Sequence, residues 1–141
     1  MILDKQNLLS DDQAVTASAA STNIIDLGAV GSNVAGTPPV PHLKAGTAAR
    51  LRVQVTTAFA TLTSLQASVQ VDTVEAFSSP TTILAGEDIA QASLVAGAVL
   101  LDVAIPAEVD ERYLRVYYTV TGTNASAGAV TAGITFDHQV N

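Results

Sequence analysis

The run Arg112-Tyr113-Leu114-Arg115-Val116-Tyr117-Tyr118-Thr119-Val120-Thr121 constrains the fold more than any other stretch of this chain. Leu114, Val116, Tyr118 and Val120 fall on one parity; Tyr113, Arg115, Tyr117, Thr119 and Thr121 fall on the other. Side chains of a strand alternate between its two faces. One face of this run can therefore be buried while the other carries polar and amphipathic groups. All three tyrosines of the protein lie in it, and its β-branched and aromatic residues suit a pleated, half-buried surface. It reads as a central strand of a β-sandwich.

The same period recurs elsewhere. Over residues 49–60, Leu51, Val53, Val55 and Phe59 oppose Arg50, Arg52, Gln54 and Thr56. Over 65–73, Leu65, Ala67, Val69 and Val71 oppose Gln66, Ser68, Gln70 and Asp72. The short link Thr61-Leu62-Thr63-Ser64 predicts a hairpin between these two strands. Residues 100–105 and 130–136 alternate as well, and the turn-rich 122–128 segment predicts a closing hairpin onto the 112–121 strand. Shorter strands are expected at 23–28 and 81–85. Residues 89–99 read as strand or irregular, since Gly97 interrupts a helix that is marginal at this length.

Residues 1–23 read as an N-terminal arm with apolar anchors at Ile2 and Leu3, to be docked on the chain's own sheet or on a neighbour. Residues 29–48 form a long Gly- and Pro-rich loop, because Pro38, Pro39 and Pro41 remove backbone donors and bar a central strand. Long loops in compact domains are usually functional or in contact with a partner. The expectation is one all-β domain over 1–141: a jelly-roll-like β-sandwich of about eight strands with an extended N-terminal arm.

Composition bears on partners. The formal charge is −7, which argues against non-specific nucleic-acid binding. Charged residues make up 13% of the chain, about half the usual ~25%. Much of the surface must be neutral and weakly apolar, as suits either a partner-covered protein or a plain sandwich with Thr/Ser-rich faces. No apolar run approaches the ~18 residues of a membrane span, and the N-terminus lacks the pattern of a Sec signal. Cysteine is absent, which removes disulfides and thiolate chemistry.

No catalytic pattern emerges. His42 and His138 are the only histidines and stand outside any metal-binding spacing. No serine sits in a nucleophile elbow. The acid pairs Glu87-Asp88 and Asp110-Glu111 lie in expected loops, where carboxylates are normally solvated. Neither an enzymatic reaction nor a cofactor is expected. One constellation stands out among the six basic residues. Arg50, Arg52 and Arg115 lie on outward parities, and Tyr113 and Tyr117 share a face with Arg115. If the two strands are neighbours, these residues form one Arg/Tyr patch of the kind enriched at binding hot spots. The alternative is that the arginines pair with outward acids such as Asp72.

The opening Met1-Ile2-Leu3-Asp4-Lys5-Gln6-Asn7-Leu8-Leu9-Ser10-Asp11, the Val15-Thr16-Ala17-Ser18 arm and Ile25-Asp26-Leu27-Gly28 resemble the capsid cement (head-stabilising, decoration) proteins of short-tailed bacteriophages. Leu94-Val95-Ala96-Gly97 through Leu101, and the 112–122 strand, are similar to the same family. The resemblance spans essentially the whole chain, apart from the Pro-rich 37–41 segment. It implies a jelly roll on the virion, made in the bacterial host cytoplasm and bound to the outside of an icosahedral shell. The implied partners are the major capsid protein and a second copy of the chain, as a homodimer, with no direct contact to nucleic acid or membrane. Two other classes fit the residues: a carbohydrate- or receptor-binding jelly-roll module, and a head-completion or tail component.

Overall fold

Strands with one apolar parity are stable only when that parity is covered, and here two antiparallel sheets cover each other. The computed structural model describes residues 5–27, 50–105 and 111–135. Among them are ten strands: β1 (Leu8–Ala14), β2 (Ala19–Ala20), β3 (Ile25–Asp26), β4 (Arg50–Ala60), β5 (Ser64–Asp72), β6 (Thr81–Ala85), β7 (Ile89–Ala90), β8 (Val99–Ala104), β9 (Tyr113–Thr121) and β10 (Ala127–Thr135). The first sheet has the order β1-β10-β4-β8; the second has β2-β9-β5-β6, with β3 also on β9 and β7 also on β5. The chain changes sheet between β1 and β2, β3 and β4, β4 and β5, β7 and β8, β8 and β9, and β9 and β10. With this strand order, that is the double Greek key of a jelly roll.

The inward parities are those read from the sequence. Leu51, Val53 and Val55 of β4 meet Leu65, Val69 and Val71 of β5 and Leu114, Val116 and Tyr118 of β9 in one core cluster. Each such aliphatic side chain contributes about 1.5–3 kcal/mol on burial.

Neither expected hairpin forms. β4 and β5 lie in opposite sheets, and so do β9 and β10. Alternation is the same whether the next strand lies beside the last or across the core, so the link decides. Thr61 adopts φ 73°, and its hydroxyl donates to Asn124 O at 2.8 Å and accepts from Ser126 N at 2.9 Å. The 61–63 corner is thereby locked to the 122–126 corner, and Leu62 drops between the layers. Two glycines make this fit possible. A Cβ on Gly122 (φ +85°) would stand 2.2 Å from Thr63 Oγ1, and one on Gly128 (φ +142°) would stand 2.2 Å from the Phe59 ring.

The N-terminal segment is no free arm over its described part. β1 pairs with β10 and β2 pairs with β9, so residues 8–26 contribute edge strands to both sheets. A hydrogen-bond chain that starts in the core and runs out to the edge fastens them. Ser10 Oγ donates to Gln13 Oε1 at 2.7 Å, which leaves Tyr118 as the donor in the 2.8 Å Tyr118 Oη–Ser10 Oγ bond across the core. Gln13 in turn donates to Ala20 O at 2.9 Å and accepts from Thr22 N at 2.8 Å. Burial pushes the Tyr118 phenol above its ordinary pKa, and the Ser10 contact only partly opposes this. Residues 89–99 resolve into β7, a 3₁₀ turn at Gln91–Ser93 and an irregular link into β8. Ile2, Leu3 and the 29–48 loop lie outside the described residues.

Candidate functional site

The long central strand β9 presents Tyr113, Arg115 and Tyr117 on the outer face of the second sheet, all half-buried. β5 lies beside it in register, with Ser68 opposite Tyr117, Gln70 opposite Arg115 and Asp72 opposite Tyr113. The Arg115 guanidinium donates through Nε and Nη2 to the single acceptor Gln70 Oε1, at 2.9 and 2.8 Å. It lies 4.2 Å above the centroid of Phe77 and 5.7 Å from that of Tyr117. Such cation–π contacts contribute roughly 0.5–2 kcal/mol each. Phe77 is 6% exposed yet sits outside the main core cluster. The arginine covers one face of its ring, and its backbone adopts φ 49°.

The β5–β6 loop that carries Phe77 is held by Asp72. One carboxylate oxygen accepts from Ser79 N at 2.9 Å and the other from Val74 N at 3.1 Å. These backbone donors hold its carboxyl below the usual carboxylate range, against the opposing effect of burial. Both oxygens are thus committed to the loop. This explains why Asp72 forms no ion pair with Arg115, although it lies on the neighbouring strand.

The other arginines are matched. Arg112 makes a two-point pair with Asp26, at 2.8 and 2.7 Å, and its guanidinium lies 5.0 Å from the Tyr113 ring centroid. The Asp26 bond raises the Arg112 pKa still further. Arg50 and Arg52 share Asp102 of β8, at 2.9 and 3.3 Å. Exposed pairs of this kind contribute about 0–1 kcal/mol. Among the described residues, Arg115 is the guanidinium left without a carboxylate.

The single Arg/Tyr patch expected from the sequence does not exist. β4 belongs to the first sheet and β9 to the second, so Arg50 and Arg52 lie on one outer face of the sandwich and Tyr113, Arg115 and Tyr117 on the other. The alternative, that the arginines pair with outward acids on an adjacent strand, holds for Arg50 and Arg52, but the acid is Asp102 of β8 rather than Asp72; Asp72 takes backbone amides. Sequence reasoning missed Phe77 and Gln70 as members of the Arg115 cluster. Gln70 was visible only as an outward residue of the 65–73 strand, and Phe77 lies beyond that strand, outside any alternating run. No local signal places either beneath an arginine more than thirty positions away.

Two further observations apply to the described residues. No group of three His, Cys, Asp or Glu side chains is placed to hold a metal ion. No helix is long and apolar enough to cross a membrane.

No curated protein matches the chain. The model of the Bbp16 family matches residues 9–134, a span that begins in β1 and ends in β10 and so takes in the whole jelly roll. The chain belongs to the Bbp16 family.

Proposed function

We propose that this protein is a capsid cement protein, bound to the outside of a phage head and clamping neighbouring major capsid protein subunits against the pressure of packaged DNA. The observation that carries this reading is the Bbp16 match over residues 9–134, because the family name is of the kind given to bacteriophage proteins. The resemblance of residues 1–11 and 112–122 to head-stabilising proteins narrows a phage protein to its shell.

The physical arrangement supports the reading. A clamp must transmit load without deforming, and here the N-terminal strands are sewn into both sheets rather than hinged beside them. A small protein gains grip when it contacts several subunits, or a second copy of itself, because each added contact becomes intramolecular. A low charge density leaves neutral faces that a shell can cover at little desolvation cost. The role needs neither cofactor nor reaction.

The test is to count copies in purified particles and to heat heads that lack the protein. A copy number near that of the major capsid protein is expected, together with DNA loss at a lower temperature from the depleted heads. About a dozen copies per particle would assign the protein to the tail or the portal vertex instead.

A further inference from the structure

We infer that Arg115 is the anchor by which the outer face of the second sheet docks a carboxylate side chain, an Asp or Glu, of the shell subunit beneath it. The inference rests on the head-binding reading above and adds which face binds and what it binds.

The local chemistry prepares an arginine for a ligand rather than for its own fold. The residue directly opposite on β5 is Gln70, a neutral acceptor. It fixes the fork through Nε and Nη2 without neutralising the charge. Among the described residues, Nη1 has no acceptor. Phe77 below and Tyr117 beside hold the guanidinium plane, so little side-chain entropy remains to be lost on binding. The nearby acid that could quench it, Asp72, is occupied by Ser79 N and Val74 N. The result is a pre-positioned cation with open donors, flanked by half-buried tyrosines, on a protein of net charge −7. Arginine forks match carboxylates in geometry, and Arg and Tyr are the types that dominate binding energy at protein interfaces. A central sheet face suits a protein surface better than a sugar, which needs a concave site.

The test uses DNA-filled heads from a phage deleted for this gene, with purified full-length protein added back and the retained amount measured after gradient centrifugation. Arg115→Gln is expected to weaken retention about 30-fold. Gln70→Glu is the sharper variant: it supplies an internal carboxylate to Arg115, so retention should fall about as far while the thermal midpoint stays at or above that of the wild type. Wild-type retention should also weaken with added salt. Both variants binding within twofold of the wild type would overturn the inference. So would a homodimer that dissociates in either variant, since the occupant would then be a second copy. Capture by an acidic glycan surface that depends on Arg115, with head binding unchanged, would overturn it too. Wild-type protein that fails to bind heads would instead bring down the head-binding reading itself.

Discussion

At the scale of single residues, most of the polar groups that matter are held by the backbone or by one neutral partner. Tyr118 carries a phenol into the core because Ser10 can accept its hydrogen bond at 2.8 Å. Tyr118→Phe removes that bond but leaves Ser10 its contact with Gln13, so urea unfolding should show a loss of about 1 kcal/mol. Asp72 acts differently, since its charged form is what the Ser79 and Val74 amides stabilise. Its pKa is lowered from 3.8, so its contribution is present above that value and is lost as the pH falls through the lower, folded-state pKa. Asp72→Asn should therefore melt below the wild type at neutral pH, and the gap between the two thermal midpoints should close in acid below about pH 4. A gap that stays constant down to pH 2 would show that the carboxylate charge is irrelevant to the loop.

The elements depend on their corners as much as on their strands. Gly128 opens β10 beneath the Phe59 ring, whereas Gly97, at φ +90°, meets nothing within 4 Å. Both would suffer backbone strain as alanine, about 1–3 kcal/mol. Gly128→Ala adds a steric overlap that the core must absorb, about 1–3 kcal/mol more. Urea midpoints should rank wild type, Gly97→Ala and Gly128→Ala in falling order. Equal losses at the two positions would mean that Phe59 can move aside freely. The alternation of β4, β5, β9 and β10 was legible because it depends only on neighbours two positions apart. The corners were not, because Thr61 finds its partners at Asn124 and Ser126, more than sixty residues away.

For the molecule as a whole, the N-terminal strands close one side of both sheets. β1 covers the edge of β10, while β2 and β3 cover the edge of β9. Removing residues 1–26 would strip these strands and bare two long edges whose amides and carbonyls could then pair with other chains. The truncated protein should lose cooperative unfolding and aggregate, as light scattering and circular dichroism would show. A monomeric, fully folded product would mean that the segment is an appendage after all. The same closure fixes the two outer faces. Because β4 and β9 belong to different sheets, the Arg50–Asp102–Arg52 group and the Arg115 group lie on opposite surfaces, and the molecule has two chemically distinct faces.

The sequence alone determined which residues turn inward. It marked Leu51, Val69, Val116 and their like as core, and Arg115, Tyr113 and Tyr117 as outward, because strand parity is a local property of the backbone. The tertiary structure decided which strands became neighbours, and with them the partners of every charged group. Pairing across a sandwich is chosen by corner geometry and by burial summed over both sheets. Asp102 beside Arg52, Asp26 beside Arg112, and Phe77 beneath Arg115 therefore appear only once the chain has crossed from one layer to the other.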